Sequence, residues 1–600
     1  MSGAGVKLSS VEEGLMDGSC YATRSKHRKN GRVYEYAYIR YETWDPAKRR
    51  GRPRNLIALG RCEGLEEGRI ETLASFLREW VRKDSPLPFE ALRERFEGLT
   101  PTFKILCSRD FGLRMLIEQA WTHLGYKDAV AEIAADHAKA DAMERAIFAM
   151  VLVQLVTPQS KRGIARWSGA EVFFPEGAGI KLGDLYDAMD VLFAGYETVE
   201  LRFAERLREL GEAPVEFAQD TTTVSCRVRY DDVERAAVEA ARQKRGEARR
   251  AAVVNEPPLR LRGKAKNKRN DLPQIVVEAI MGDNRMIVHH ATHAGNASDK
   301  KLVKPTLKAM QRLGYKKVQW AADAGFNSAA NRGHLRAASF EFVLSEGVTR
   351  TKVVQEALRR PGRYSPHPSR PEISFKCVVA KPKEEACPER LYIVRRNTLE
   401  ERFRLHTIDR HCEKVQAILA RGGTKAEDLL HHSTFKKYVR RSARRRDLKG
   451  RPAGRVILDR KAISKMRQLA GKSVIAVDDP DTHPLVSDDL YRLTGQLELV
   501  FRELKSTLDL GPVRHRRADR IEAHVMLGVM AQNIATWLRQ HCGETLEGLR
   551  ATFANLRVQE VETRGGTYWE RTELEPRQRA VVEKLGLEVP PKRFTVAAAN

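Results

Sequence analysis

Short β-branched runs alternate with helical patterns between Val215 and Ser345, and no other stretch restricts the fold as much. VEFAQD at 215–220 reads as a strand and leads into the β-branched run Thr221 to Val224. After a charged helical stretch over 232–254 come QIVVEAI at 274–280 and RMIVHHA at 285–291. A helical pattern from Asp299 to Leu313 follows, then VQWAA at 318–322 and EFVLS at 341–345. Runs of this kind read as strands, and strands alternating with helices predict an α/β sheet.

The order strand, strand, strand, helix, strand, helix, strand is that of an RNase-H-like catalytic core, here assigned to 206–347. The stretch 348–455 interrupts it with strands at Ile373 to Val379 and Leu391 to Arg395, a helix at Arg410 to Ala420, and a basic block from Lys436 to Arg451. An insertion of that length folds separately or binds something, so it is read as a β-rich insertion. The core resumes over 456–545 with helices at Tyr491 to Leu508 and Ile521 to Leu538, and 546–600 reads as a weakly packed C-terminal tail. Before the core, 1–100 holds a β element, Gly31 to Gly60, where VYEYAYIRY and NLIALG flank a basic turn. Residues 101–205 are helical in pattern, with helices at Phe111 to Leu124 and Ala129 to Val156 stopped by Pro158, and are read as a DNA-binding region presenting Lys161, Arg162 and Arg166.

The 600 residues carry 106 Lys plus Arg and a formal net charge of +27, a field that attracts a polyanion. Nucleic acid is the expected partner. No apolar run approaches the roughly 18 to 20 residues of a membrane span, so no membrane role is expected. The opening MSGAGVKLSSVEEG has no signal-peptide pattern, which predicts a cytoplasmic protein. Eight cysteines without a CxxC pair predict reduced thiols rather than a disulfide frame or structural zinc. His289-His290 and His431-His432 lack an HExxH context and are read as surface or phosphate-facing histidines.

Asp220 closes the first core strand, and Asp323 follows VQWAA just before the Ala324-Gly325 turn. Parallel strands share one C-terminal edge, so the two carboxylates are expected as neighbours there. In YRLTGQLELVFRELK, Tyr491, Glu498 and Lys505 recur every seven residues and share a helix face. That face offers Glu498 to the same edge. Three carboxylates together are costly unless hard cations offset them, and two cations about 3.5 to 4 Å apart would support phosphoryl transfer. Singly, Asp220 is equally a turn cap, Asp323 a partner for turn amides, and Glu498 an ion pair with Arg502.

The segments RPRNLIALG, LVTPQSK, DTTTV, GKAKNKRNDLPQIVVEAI, THAGNASD, AADAGFNSAANRGHL, EFVLS and YRLTGQLELVFRELKSTLDLGPVRHRRADRIEAHV are similar to DDE transposases of the IS4 superfamily, IS1634-like branch, in family order. The resemblance covers roughly residues 31–540. It implies Mg²⁺-dependent cut-and-paste DNA transposition by an insertion sequence, with two ions for which Mn²⁺ substitutes. The implied catalytic, metal-binding triad is Asp220, Asp323 and Glu498.

The implied DNA contacts are Tyr491, Arg502 and Lys505, then Lys264, Lys266, Lys268 and Arg269, then Arg514, His515, Arg516 and Arg517, with His524 beside them. Asn296 and Asp299 are expected to shape the loop after a core strand, and Asn327 with Ser328 to begin the helix behind Asp323. The family pattern Tyr, two residues, Arg, three residues, Glu, six residues, Lys falls on Tyr491, Thr494, Glu498 and Lys505, so Thr494 departs from Arg. Gly495 replaces the usual Trp, and a glycine inside a helix costs about 1 kcal/mol relative to alanine, so a tertiary contact is expected there.

The implied partners are double-stranded DNA with terminal inverted repeats, target DNA, and a second copy in a homodimer on DNA, in a bacterial nucleoid setting. Two other classes stay open. One is an RNase-H-like nuclease without strand transfer, and the other is a non-catalytic DNA-binding descendant.

Overall fold

The protein is described by a computed structural model covering residues 20–29, 32–45, 50–61, 104–167, 171–177, 179–244, 257–266, 269–349, 351–381, 389–443, 454–563 and 566–595. Lys268, residues 444–451 of the basic block and the end of the 232–254 stretch lie outside the described residues. The chain forms two compact units.

The smaller unit comprises Met1–Ser108, Gln559–Glu570 and Arg593–Val596. It contains an antiparallel sheet of β1 (Cys20–Lys29), β2 (Arg32–Asp45) and β3 (Arg50–Arg61), so the predicted N-terminal β element gains a strand before Gly31. A second sheet starts from β4 (Lys104–Asp110), which neighbours Arg557–Thr563, then Gly566–Arg571, then Arg593–Phe594. The region read as a weakly packed tail is therefore structured. Its helix Leu546–Phe553, in the larger unit, buries Leu549 and Phe553.

The larger unit is built on a nine-stranded mixed sheet. Its strands are β5 (Glu216–Ser225), β6 (Gln274–Gly282), β7 (Ile287–Ala294), β8 (Gln319–Ala322), β9 (Glu341–Glu346), β10 (Ser365–His367), β11 (Arg370–Ala380), β12 (Arg390–Asn397) and, after the short hairpin of β13 (Val439–Arg441) and β14 (Val456–Leu458), β15 (Lys472–Val477). The spatial order is β10-β11-β12-β15-β9-β8-β5-β6-β7. Only β5, β8 and β9 run parallel to their neighbours; β5 pairs antiparallel with β6, and β9 with β15. The sheet is therefore less parallel than the sequence suggested. VEFAQD and TTTV also fuse into one strand, which moves Asp220 from a strand end to the middle of β5.

The insertion does not fold separately as a whole. Its strands β10 to β12 join the main sheet through β15, whose sequence KSVIAV was not anticipated as a strand. Only the long helix Thr398–Arg421, the β13–β14 hairpin and the helix Arg460–Gln468 form a lobe of their own, around Ile408, Val415, Tyr438, Val456 and Ile463.

Helices between Gly112 and Glu209 gather with the helix Ala518–Cys542, which packs on β7 and is buried on nearly all sides. The predicted helix Ala129 to Val156 is two helices, Tyr126–Ala134 and Ala140–Val156. Lys161 was expected on the surface. Instead it is 9% exposed, and burial drops its pKa to about 8. No helix among the described residues is long and apolar enough to cross a membrane.

Candidate active site

The parallel register sets the first two acids side by side. Gln219 on β5 is opposite Ala322 on β8, so Asp220 and Asp323 are the next residues along two adjacent strands. Asp323 leaves the strand exposed, and its Oδ1 accepts from Gly325 N at 2.7 Å, the turn contact anticipated for it. Asp220 is 6% exposed and points with Thr222 to one face of the sheet, because side chains alternate along a strand.

The helix Pro484–Ser506 lies across that face, packing on β9, β8 and β5. Pro484 occupies its first turn, and the His483 side chain accepts from Leu485 N, so the start is defined locally. Leu490, Leu493, Leu497, Val500, Phe501 and Leu504 recur at helical spacing and are buried against the sheet. The helix begins seven residues before Tyr491.

Near its start, the partly buried Tyr491 phenol bonds Ser345 on β9 and lies in the fields of Arg395, Asp323 and Glu498, and burial raises its pKa. Near its end, Lys505 Nζ donates to Thr222 Oγ1 at 2.7 Å. Glu498 stands between these anchors on the same face, exposed. No ion pair joins it to Arg502 among the described residues. Gly495 is exposed with open space where a Cβ would stand, so the expected supporting contact is absent and the helix runs through without one.

Lys266 approaches from the loop before β6. Its Nζ lies 3.1 Å from Asp220 Oδ1 and also bonds the Thr221 carbonyl. Burial raises Asp220 to about 6, opposed by the Lys266 ammonium and helped by the charge of Asp323. Lys505 is held below its usual pKa by burial and by Lys266, against the pull of Asp220. Asp220, Asp323 and Glu498 offer only hard oxygen donors, the kind a divalent ion takes, but among the described residues they are not a group whose ligand atoms lie within 4.8 Å of one another.

The remaining predicted contacts divide. Lys264, Arg502, Arg514 and Arg516 are exposed, while Arg269 is bonded to Asp271 and Arg517 to Asp519. His515 packs against Tyr186 and His524, and burial lowers its pKa to about 4. His524 Nε2 is bonded to the Leu510 carbonyl, and burial keeps its pKa well below the ordinary value. These two rings are neutral packing groups, a correction to the basic cluster read after Glu498. His289 and His290, read as surface residues, are both buried and face Glu200, at 2.9 and 3.2 Å. His431 and His432 are exposed.

Asn327 Nδ2 donates to the Ser345 carbonyl, and Ser328 caps the helix Ala329–Ala337 by accepting from Asn331 N, as expected. Asn296 is exposed in its loop. Asp299 does more than shape the loop, since Thr221 Oγ1 donates to its Oδ1 at 2.9 Å. The sequence signal for that role is the acid closing GNASD, four residues before the helix Val303–Arg312.

A second donor group, His367, Asp488 and Asp489, lies within 4.8 Å of itself. Two of its three residues face arginines. Arg370 Nη2 is 2.6 Å from His367 Nε2 and also bonds Asp488, and Arg395 Nε is 3.0 Å from Asp488 Oδ1. Cys107, Cys226, Cys377, Cys412 and Cys542 are free thiols.

Residues 258–534 match the family model described as the transposase DDE domain. The match includes Asp323 and Glu498 and begins after Asp220. It supports a transposase of the DDE kind. No curated protein matches the chain. Among solved structures, a piggyBac transposase synaptic complex with hairpin DNA is similar at 9% identity and a TM-score of 0.33, covering 73% of this chain and 76% of that one.

Proposed function

We propose that the chain is an insertion-sequence DNA transposase of the IS4 superfamily, IS1634-like branch, whose RNase-H-like core cleaves inverted-repeat ends and joins them to target DNA. The observation that carries the reading is the β5–β8 register, which makes Asp220 and Asp323 neighbours beneath the helix bearing Glu498.

Asp220, Asp323 and Glu498 would hold two Mg²⁺ ions, for which Mn²⁺ substitutes; when bound, such ions acidify the attacking oxygen and stabilise the leaving one. Lys505 and Lys266, at the same edge, would take the scissile phosphate, and Tyr491 would brace the approach to Asp323. Water attacks the phosphodiester at the element end, the P–O3′ bond breaks, and a 3′-hydroxyl is released. That hydroxyl then attacks a target phosphodiester in line, forming a new ester and displacing the target's own 3′-oxygen. Lys264, Arg502, Arg514 and Arg516 would contact the DNA backbone, with a homodimer holding both ends.

The test is a gel assay with labelled duplex carrying the flanking terminal repeats. Native protein yields metal-dependent 3′-end cleavage and joined products, and Glu498→Gln binds the ends without cutting. Cleavage without joining would replace this reading with a nuclease. Binding without cleavage by native protein would favour a non-catalytic descendant, which the departures at Thr494 and Gly495 recommend as the comparison.

A further inference from the structure

We propose that Arg370 and Arg395, both from the insertion, are positioning residues that hold the helix bearing Glu498 in register over the two aspartates by gripping Asp488 in its second turn; the inference rests on the transposase reading above. The insertion lies in the chain between Asp323 and Glu498, and its strands β11 and β12 extend the sheet beyond β9 and β15. Arg395 on β12 is opposite Ser473, and Ile475, two residues further along β15, is opposite Ser345 on β9. Cross-strand partners and residues two apart share a face, so Arg395 projects from the same face as Ser345, the residue that bonds Tyr491.

The arginines meet one carboxylate there. Arg395 Nε lies 3.0 Å from Asp488 Oδ1, and Arg370 Nη2, from the start of β11, donates to Asp488 Oδ2. Asp488 is 1% exposed. Two guanidinium groups on a buried carboxylate are a poor device for stability alone, because desolvation of the charges offsets much of their attraction. What they add is intolerance of displacement. An apolar stripe repeats along a helix and packs again after a slide of one turn, about 5.4 Å, whereas an ion pair at 3.0 Å does not survive it.

Glu498 stands ten residues beyond Asp488, about 15 Å along the axis, so the arginines act on it only through the placement of the helix. At the far end Lys505 is tied to Thr222 on β5. The helix is thus pinned on both sides of Glu498, once to a core strand and once to the insertion. Tyr491, three residues after Asp488, lies in the field of Arg395, so the same grip sets the approach to Asp323.

The test compares native, Arg395→Met and Arg395→Lys full-length chains on labelled terminal-repeat duplex in Mn²⁺, with hydrogen exchange of the DNA-free proteins followed by mass spectrometry. Arg395→Met leaves Asp488 its Arg370 partner and is expected to lower the cleavage rate at saturating DNA about tenfold or more, while the DNA concentration for half-maximal rate stays within about twofold. Exchange is expected to quicken in Pro484–Ser506 and to stay native in β5 and β8. Arg395→Lys, which restores the charge without the planar fork, is expected to recover part of the rate. A native cleavage rate in Arg395→Met overturns the proposal and leaves the transposase reading standing. A loss accompanied by faster exchange throughout the larger unit also overturns it, since that marks general destabilisation. If the native chain itself does not cut, the transposase reading fails and takes the proposal with it. Should Arg395→Met prove unfolded, Arg370→Gln decides by the same split of rate from half-saturation, and a native rate there overturns the proposal.

Discussion

The Lys266 ammonium lies 3.1 Å from Asp220 Oδ1, so the most buried carboxylate of the site has a cation of its own chain beside it. Burial nevertheless wins, and Asp220 titrates at about 6 rather than its usual 3.8. A carboxyl whose folded pKa exceeds its unfolded value binds its proton more tightly when folded. Stability from this group is therefore highest below about pH 4 and falls as pH rises through 6. In chelator-containing buffer at pH 8, Asp220→Asn should raise the unfolding free energy by on the order of 2 to 3 kcal/mol, and much less at pH 4. Denaturant melts at both pH values check this, and equal effects would refute it. Lys266→Met removes the opposing cation and should raise the Asp220 pKa further above 6 in metal-free protein, read by carboxyl NMR titration.

Gly495 sits mid-helix with nothing near the position of a Cβ. Gly495→Ala should therefore stabilise the protein by about 1 kcal/mol, seen as a higher melting temperature. A fall would show that the glycine is required by something packed against it.

Asp488, 1% exposed and contacted by Arg370 and Arg395, is a structural ion-pair centre rather than a metal ligand. Removing one partner of a buried pair leaves the others uncompensated, so Asp488→Asn should cost about 3 to 5 kcal/mol in denaturant unfolding. Stability that instead depends on added divalent ion through this residue would reverse the assignment.

Gly112 touches the C-terminal part of the larger unit. A Cβ there would stand 2.7 Å from a Phe553 ring carbon and 2.9 Å from Leu556 Cβ. Gly112→Ala should destabilise by about 1 to 3 kcal/mol through overpacking. A neutral result would mean that residues 546–556 do not pack there.

Part of the candidate site is legible in sequence, where a residue sits at a pattern boundary or keeps a helical spacing. Asp323 ends an apolar run that is indeed a strand, Gln319–Ala322, and Tyr491, Glu498 and Lys505 keep their heptad spacing on a real helix. Other features depend on partners distant in the chain. KSVIAV becomes β15 only by pairing between β12 and β9, which no local pattern announces. His289 and His290 read as surface or phosphate-facing histidines, but Glu200 from the helix Tyr196–Glu209 reaches both rings on the edge strand β7. Lys161 illustrates the same limit. A helical pattern fixes which residues share a face but not which face another helix will cover.

The central claim is that Asp220, Asp323 and Glu498 form one metal-dependent phosphoryl-transfer site. Its most direct test compares native protein with Asp323→Asn on labelled DNA carrying the terminal repeats, in Mg²⁺ and in Mn²⁺. The account predicts cleavage and end joining by the native chain, and a loss of roughly a thousandfold or more in the variant with repeat binding intact, since ligand removal forfeits several kcal/mol of transition-state stabilisation. Cleavage by Asp323→Asn at the native rate would contradict it.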